Sequence, residues 1–367
     1  MCDDELLFRI ALTFIPELGP VCTRALIEHF GEASAVFRAR KREISAIPGI
    51  GEARAKCLKQ WNAFNEAERE IIFLVKNRIT PLFITDAAYP KRLLHCYDPP
   101  VMLYYRGAAD LNAGKTVSII GTRHNTEYGK QVAMQVVEGL QSKQALIVSG
   151  LAFGIDAVAH RSAIDQGLAT VGVLAHGLDT IYPMQHRSLA KEMMERGGLL
   201  TEFRKNTKPD KHNFPKRNRI VAGISDLTIV IETAVKGGSM ITAELAHSYN
   251  RDVFAVPGKL TDHRSSGCLL LIQQNKAAVF TGVDELLNTM GWNDEPVREK
   301  QKQRSLFVEL DADERIIVAL LQQKESLNID ELYAQSKLSS SKMAAALLGL
   351  ELKNIVGALP GKTYRLL

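Results

Sequence analysis

Short apolar runs alternate with amphipathic segments through the middle of the chain. Most of these runs are followed by small or turn residues and then by a segment with helical spacing. They lie at 117–120, 145–148, 170–174, 199–201, 227–231 and 253–256. Continuous apolar runs of this length are typical of strands buried on both faces of a parallel sheet. The pattern predicts an α/β fold, an extended Rossmann-like sheet that is doubly wound and mostly parallel.

The first 78 residues have a different, helical pattern. Apolar residues recur at helical spacing between Leu6 and Ile15. Two short turns follow, at 15–19 and 47–51, and the second resembles a helix-hairpin-helix motif, whose backbone amides contact DNA phosphate. A tight turn between packed helices would account for the glycines equally well. Residues 1–78 are therefore predicted to form a helical domain of the SAM or helix-hairpin-helix type, with both interpretations of the turn open.

The remainder divides into three predicted parts. Residues 79–290 form the sheet domain, with strand-like runs at 82–84 and 101–105 that add edge strands or a brace. Residues 291–306 are polar and charged, which is typical of a linker. Residues 307–367 show three helices and a hairpin, the pattern of a winged helix. Its third helix has Lys342 as its one early cation, so duplex DNA binding and protein docking both stay open.

Composition narrows the class of protein. The 367 residues are 46% hydrophobic and 24% charged, with a net charge of +5, which is typical of a globular protein and permits nucleic acid as a partner. Five scattered cysteines without a Cys-x-x-Cys pair argue against a disulfide framework or a zinc site. The acidic N-terminus lacks a signal peptide's basic region, and no apolar run approaches the roughly 18 residues of a membrane helix. We expect a cytoplasmic protein without metal, cofactor or membrane segment.

Candidate phosphate-binding residues follow the first two strands of the predicted sheet. Ligands of such sheets bind beyond the carboxyl ends of the strands. Gly121 would let the backbone approach a phosphate, Arg123 can donate two parallel hydrogen bonds, and Thr122 offers a hydroxyl. Ser149 and Gly150 follow the second strand. Neither a Gly-x-Gly-x-x-Gly turn nor an acid at the strand tip is present, which excludes a dinucleotide cofactor.

The stretch 212–244 carries the strongest candidates. Three cations, Lys216, Arg217 and Arg219, stand in a predicted helix just before the strand 227–231. The strand leads into a turn that opens another helix: Lys236-Gly237-Gly238-Ser239. Such a turn projects backbone amides and one ammonium toward a single point, which binds phosphate. Between Arg204 and Arg219 seven basic residues face one acid, and this clustering beside a glycine-rich turn favours a polyanion.

No catalytic set emerges from the same strand tips. Three histidines lack a carboxylate pair or a helical His-x-x-x-His spacing and are predicted to be structural: His160, His176 and His186. Asp156 is predicted to cap or brace the Arg123 loop. Three aromatic residues are candidates for stacking on bases, although each is predicted to pack instead: Phe153, Phe214 and Tyr182.

Five motifs, in order over about 150 residues, together resemble the DNA-processing protein A family (DprA, also called Smf). They are Gly121-Thr122-Arg123 with Tyr128-Gly129; Ser149-Gly150-Leu151-Ala152-x-Gly154-Ile155-Asp156-Ala157-x-Ala159-His160; Gly177-Leu178-Asp179-x-x-Tyr182-Pro183; Asn213-Phe214-Pro215-x-Arg217-Asn218-Arg219-Ile220; and Gly238-Ser239-x-Ile241-Thr242-Ala243. Two departures stand out. Arg204-Lys205-Asn206 replaces a usual Pro-Pro-Gly-type turn, and Ser266-Gly267-Cys268 begins a loop where the family often has Gly-x-Asn-x-Leu-Ile.

The resemblance implies a single-stranded DNA-binding protein that is not an enzyme. It further implies protection of incoming DNA in natural transformation, loading of the RecA recombinase onto that DNA, and a homodimer formed through the Rossmann-like domain. By motif, Arg123, Lys216, Arg217 and Arg219 would hold backbone phosphates. The pocket would be shaped by Gly121, Ser149, Gly150, Gly237, Gly238 and Ser239.

Two alternatives to DNA binding remain open. The turn that begins at Gly237-Gly238 and ends at Glu244 also looks like the Gly-Gly-x-Gly-Thr-x-x-Glu turn of nucleotide phosphoribohydrolases, in which the glutamate assists glycosidic cleavage. Ile241 occupies the second glycine position, which crowds the backbone approach. A nucleotide-sensing regulatory module is the other alternative.

Overall fold

The computed structural model describes residues 4–293 and 310–367. The chain divides into two compact units, which meet in sequence between Val279 and Phe280. The predicted linker, 291–306, lies mostly outside the described residues. The predicted boundaries at 78, 290 and 307 stay predictions.

Nine strands of the first unit form one mixed sheet within residues 4–293, in the order β1-β2-β6-β5-β4-β3-β7-β8-β9. The strands are β1 (Thr80–Phe83), β2 (Met102–Gly107), β3 (Thr116–Gly121), β4 (Leu146–Ser149), β5 (Thr170–Val173), β6 (Gly198–Thr201), β7 (Leu227–Ile231), β8 (Asp252–Ala255) and β9 (Ala278–Val279). Strands β3 to β9 pair in parallel, and β1 and β2 are antiparallel at one edge. The predicted sheet and the predicted edge strands are thus confirmed.

Helices cover the sheet and build the N-terminal region. They are α1 (Asp4–Phe14), α2 (Pro20–Phe30), α3 (Ala33–Arg38), α4 (Lys41–Ser45), α5 (Gly51–Gln60), α6 (Phe64–Lys76), α7 (Lys91–Leu94), α8 (Glu127–Gly139), α9 (Ile155–Asp165), α10 (Arg187–Arg196), α11 (Asn213–Gly223), α12 (Gly238–Ser248) and α13 (Ser266–Gln273). All residues of β4 and β7 are buried. Burial on both faces explains why these strands are continuous apolar runs.

The order of the strands creates one crevice in the sheet. After β3 the chain proceeds outward through β4, β5 and β6, and then returns to place β7 on the other side of β3. The register runs from Val117 opposite Leu227 to Gly121 opposite Ile231. The connections leave β3 and β7 in opposite directions, so their carboxyl ends border an open crevice.

The second unit is a separate fold with its own core. It contains α14 (Val283–Thr289), α15 (Ala312–Leu321), α16 (Ile329–Ser336) and α17 (Ser340–Leu352), with β10 (Leu327–Asn328), β11 (Val356–Leu359) and β12 (Thr363–Leu366) in the order β10-β12-β11. Reciprocal capping boxes start α15 at Asp311 with Glu314 and α16 at Asn328 with Glu331. Three helices and a terminal hairpin confirm the predicted winged helix.

Candidate nucleic-acid interface

A pocket of about 370 Å³ occupies the crevice between β3 and β7. We call it the inner compartment. Its floor is the end of β3, and its walls are the loops after β3, β4 and β7 together with the first turns of α11 and α12. The lining residues are Ile120, Gly121, Thr122, Arg123, His124, Gly150, Ala152, Asp156, Phe214, Arg217, Asn218, Val221, Thr233, Ala234, Gly237, Gly238, Ser239 and Thr242.

Glycine is required at two positions of this compartment. A Cβ atom on Gly121 would overlap the carbonyl oxygen of Ile231, and one on Gly150 would overlap the guanidinium of Arg217. Both glycines therefore let neighbouring groups approach closely. The predicted pocket-shaping role of these two residues rests on packing within the protein as well as on room for a ligand.

The N-terminus of α12 points its first amides into the compartment. Gly237 precedes the helix in an extended conformation, and Gly238 begins it. The Gly237 N–H donates to the Ala234 carbonyl at 2.8 Å, and the Ser239 hydroxyl donates to Thr233 Oγ1 at 2.7 Å, so the turn is fixed. The unpaired amides and dipole of a helix N-terminus favour an anion at this point.

Arg217 is the buried cation of the compartment. Its side chain is 5% exposed, and Nη1 donates to the Val173 carbonyl at 2.7 Å. Among the described residues Nε has no hydrogen-bond partner. Burial lowers the pKa of Arg217 to about 10, and the nearby Asp156 carboxylate opposes that shift. The guanidinium therefore stays charged at neutral pH with donor capacity left over.

Asp156 braces the turn that follows β4. Its Oδ2 accepts hydrogen bonds from the Gly150 N–H at 3.1 Å and the Ala152 N–H at 3.3 Å. Burial raises the pKa of Asp156, while Arg217 and these hydrogen bonds oppose the rise. Asp156 therefore has the predicted structural role, but it braces residues 150–152 instead of the Arg123 loop.

The Arg123 loop is held by the backbone on either side. The Thr122 N–H donates to the Glu232 carbonyl at 2.7 Å, and the Ile155 N–H donates to the Thr122 carbonyl at 3.2 Å. The Arg123 side chain is exposed, with its guanidinium 5.4 Å from the centre of the Phe214 ring. A hydrogen-bonded loop thus presents an exposed cation at the mouth of the compartment.

Glu232 is a buried residue that sequence reasoning missed. It directly follows β7, has a φ of +53° and is 1% exposed. Its carboxylate accepts from the Thr126 N–H at 2.8 Å and from the Thr126 hydroxyl, and Thr126 caps α8. A non-glycine residue at positive φ beside a binding crevice is a signal that only coordinates provide.

A second, wider groove of about 740 Å³ continues from the inner compartment. We call it the outer groove. Four residues line both spaces: Arg123, Phe214, Asn218 and Gly238. The outer groove is completed by Tyr182, Lys208, Pro209, Lys211, Pro215 and Ile241. The rings of Tyr182 and Phe214 lie 6.3 Å apart, and Tyr182 is 47% exposed. Sequence reasoning gave both rings a packing role, but they line this groove.

Four predicted phosphate-binding residues lie outside the lining of both spaces: Ser149, Lys216, Arg219 and Lys236. The Ser149 hydroxyl is buried and donates to the Ile119 carbonyl at 2.6 Å. Lys216 and Lys236 are exposed on the surrounding surface. The proximity of the two lysines to the mouth allows a long-range electrostatic role.

Arg219 is committed to contacts within the protein. Its guanidinium donates to the Asp98 carbonyl and to the Glu202 carboxylate, and Nε donates to the Lys216 carbonyl at 3.2 Å. The side chain is 10% exposed. Arg219 thus ties α11 to the loop before β2 and to the end of β6, and its predicted phosphate contact stays a prediction.

Glu244, the key residue of the hydrolase alternative, does not line the inner compartment. It is exposed on α12 and pairs with Lys276 at 3.1 Å. A glycosidase glutamate must reach the scissile bond of a nucleotide held at the turn. This position weakens the hydrolase alternative.

The three histidines make hydrogen bonds within the protein. Nδ1 of His160 lies 2.6 Å from Thr170 Oγ1, Nδ1 of His176 lies 2.9 Å from the Gly177 carbonyl, and Nδ1 of His186 lies 3.0 Å from the Leu151 carbonyl. In residues 4–293 and 310–367 no group of three or more His, Cys, Asp and Glu side chains is arranged to hold a metal. No helix in the same residues has the length and apolarity to cross a membrane.

The chain belongs to the DNA recombination-mediator protein A family, whose model matches residues 80–291. A DprA winged helix domain model matches residues 302–362. Protein Smf of Synechocystis sp. is 32% identical over 402 residues, which cover 100% of both chains. DNA processing protein DprA of Bacillus subtilis is 42% identical over 207 residues, or 56% of this chain and 70% of the relative.

Two solved structures of relatives share the fold. DNA processing protein A from Streptococcus pneumoniae superposes with a TM-score of 0.66 at 31% identity, over 77% of this chain and 95% of that chain. DNA processing protein A from Helicobacter pylori, studied for its unique single-stranded DNA binding mode, has a TM-score of 0.54 at 32% identity, over 59% of this chain and 96% of that chain. The resemblance expected from the five motifs is confirmed at the level of family and fold.

Proposed function

We propose that this protein binds single-stranded DNA through its sugar-phosphate backbone, with little dependence on sequence. The observation that carries the proposal is the junction of two spaces. An inner compartment combines a buried arginine with a helix N-terminus, and it opens into a groove lined by aromatic rings and lysines. Anion-binding groups beside stacking surfaces are what a single strand requires.

Each part of the junction has a proposed role. Arg123, Arg217 and the amides of Gly238 and Ser239 hold phosphates, with Gly121, Thr122, Gly150 and Gly237 shaping the compartment. Phe214 and Tyr182 offer faces on which bases stack. Lys216 and Lys236 add to the positive field around the mouth, and Ser149 and Arg219 support the walls. The Helicobacter pylori relative, whose studied property is single-stranded DNA binding, supports single-stranded DNA as the ligand.

The wider biological role is proposed on family grounds. We infer that the chain acts in DNA processing during natural transformation, delivers bound strands to RecA, forms a homodimer through the sheet domain, works in the cytoplasm and breaks no bond in the DNA. The domain limits 1–78, 79–290 and 307–367 belong to the same proposal. Support comes from the family membership and from the absence of Glu244 from the inner compartment.

The first test replaces Arg123 with alanine. We expect R123A to lower the affinity for an oligothymidine strand and to reduce the slope of log affinity against log salt by about one unit, because one phosphate contact releases about one counterion. Fluorescence anisotropy across a salt series measures both. Arg38→Ala removes an exposed arginine that hydrogen-bonds Ser34 on α3 and serves as the matched control.

Three outcomes would count against the proposal. If R123A and the Arg38 control bind equally well, Arg123 does not contact the strand. If the wild-type protein releases free base from nucleoside monophosphates, the hydrolase alternative holds. A thermal shift with a mononucleotide but none with an oligonucleotide would instead indicate the nucleotide-sensing module.

A further inference from the structure

The segment 204–212 connects β6 to α11 and begins with two consecutive cations, Arg204 and Lys205. Its first cation faces the N-terminal helices. Arg204 Nη1 donates to Glu66 Oε2 at 3.2 Å, and the guanidinium lies 4.5 Å from the centre of the Phe14 ring. The charge and the planar face of Arg204 are thus both used within the protein.

Lys205 docks on α6 by three separate contacts. Its N–H donates to Glu70 Oε1 at 3.0 Å, its Nζ donates to the Arg69 carbonyl at 2.8 Å, and Nζ lies 5.5 Å from the centre of the Phe73 ring. Glu70 is 2% exposed, and its burial raises the pKa of the carboxyl group. A buried carboxylate that accepts a backbone N–H fixes the position of that backbone.

The opposite side of the segment is held by the loop after β5. The Asn206 N–H donates to Asp179 Oδ1 at 3.0 Å, and the Gly177 N–H donates to the Thr207 carbonyl at 3.1 Å. Gly177 is required here, because a Cβ atom would lie 2.5 Å from the Arg204 carbonyl oxygen. The segment is therefore clamped between α6 and the 177–179 loop.

The residues that immediately follow the clamp form one wall of the outer groove. Lys208, Pro209 and Lys211 all line that groove. Only two residues lie between Lys205, whose N–H is held by Glu70, and Lys208, so the docking of Lys205 constrains the position of Lys208. Without the clamp, this wall would become ordered only when a strand binds, and the entropy cost of that ordering would lower the affinity.

We propose that α6 is a positioning element for single-strand binding, and that Arg204 and Lys205 act by docking the groove wall on α6 instead of contacting phosphate. This inference rests on the proposed function and extends it to the N-terminal helices.

The test separates docking from phosphate contact by salt dependence. We expect Glu70→Ala to weaken binding of an oligothymidine strand about three- to tenfold, because a loop must be ordered on binding, with the salt slope unchanged. A double change, Lys208→Ala with Lys211→Ala, should reduce the slope by about one unit for each lysine that contacts phosphate.

Glu70→Gln keeps an acceptor for the Lys205 N–H and should bind nearly as the wild type does. Glu68→Ala, an exposed glutamate on the same helix, is the matched control.

A second readout does not depend on DNA. Amide hydrogen exchange in residues 204–212 should be faster in Glu70→Ala than in wild type and unchanged in Glu68→Ala. If Arg204→Ala and Lys205→Ala each reduce the salt slope by about one unit, these cations contact phosphate and the inference is overturned. Unchanged exchange and unchanged affinity in folded Glu70→Ala would also overturn it. If exchange rises as expected while the wild type binds no strand, the proposed function fails and the docking of the segment stands.

Discussion

The inner compartment and the outer groove present positive charge in two different physical forms. Arg217 of the inner compartment is 5% exposed and fixed by the Val173 carbonyl, with Asp156 nearby. Lys208 and Lys211 of the outer groove are exposed on the surface. A polyanion would therefore meet a rigid, desolvated donor at one end of its path and flexible, screened charges at the other.

This difference matters because desolvation and ordering occur at different times. Burying Arg217 costs free energy during folding, so a phosphate that reaches it meets a donor already stripped of water. An exposed lysine must lose hydration and side-chain freedom when it binds, and salt screens it strongly. We therefore expect the inner compartment to determine affinity and the outer groove to contribute reach and stacking.

The largest predicted effect follows from removing the buried guanidinium. Arg217→Gln should weaken single-strand binding about 100-fold or more, equivalent to roughly 3 kcal/mol, because charge-assisted hydrogen bonds in a desolvated site are strong. The measurement is anisotropy of a labelled oligothymidine strand. Since the single variant leaves Asp156 buried without its cation, Arg217→Gln with Asp156→Asn provides the control for folding.

The double variant should recover thermal stability relative to Arg217→Gln and should still bind poorly. Recovery of binding together with stability would show that the loss in the single variant came from misfolding. In that case the inner compartment would not be the main source of affinity, and the proposed difference between its contribution and that of the outer groove would be wrong.

Sequence patterns predicted the sheet correctly and directed attention to the candidate site, because both inferences follow from short-range rules. Apolar runs of strand length place β3 and β7, and parallel strands bring Gly121 and Gly237 to the same edge. The rule that ligands bind at strand ends then directed attention to Arg123. These inferences need no knowledge of side-chain direction.

The patterns do not give the direction in which each side chain points. Lys216 and Arg217 are neighbours on α11, yet Lys216 is exposed and Arg217 is buried in the inner compartment. Consecutive helix positions differ by about 100° around the axis, so a basic run on a helix cannot point one way. For the same reason Arg219 turns toward Glu202 instead of the crevice.

The sequence could not place Tyr182 and Phe214 in one groove, because their pairing is long-range. Tyr182 follows β5 and Phe214 begins α11, and only the fold brings their rings within 6.3 Å at one groove. The two residues are 32 positions apart in the sequence, so a short sequence window around one does not include the other. Pairing of segments that are distant in sequence is the information that a periodicity argument lacks.

The intermediate effect concerns stacking in the outer groove. Phe214→Ala should weaken binding by about 1–3 kcal/mol, because base stacking on an aromatic ring contributes that much per base. The slope of log affinity against log salt should stay unchanged, since no phosphate contact is removed. Phe214→Trp, which keeps an aromatic face, should retain most of the affinity. A reduced slope in Phe214→Ala would show that the ring acts by positioning Arg123, whose guanidinium lies 5.4 Å from it.

The last prediction concerns stability instead of binding, and it tests whether the folded packing around α9 responds to acid. His160 on α9 is fully buried, and burial lowers its pKa to about 3 from an ordinary 6.5. The Thr170 hydroxyl donates to the Ile147 carbonyl at 3.0 Å, so it accepts from Nδ1–H of His160, and Nε2 has no partner among the described residues. Protonation would place an unpaired charge on buried Nε2.

Because the folded-state pKa of His160 is depressed, its contribution to stability is complete above about pH 6.5 and declines as the pH falls toward 3. The decline is at most about 1.4 kcal/mol per pH unit, since one proton is taken up on unfolding. His160→Gln should therefore be less stable than wild type at pH 7, with the difference shrinking as the pH is lowered; urea unfolding at several pH values measures this. His263→Gln, at an exposed position, should follow the wild-type curve. If the free energy of unfolding of His160→Gln changes with pH in parallel with that of the wild type, the imidazole titrates equally in the folded and unfolded states. The surroundings of His160 on α9 would then be hydrated instead of dry.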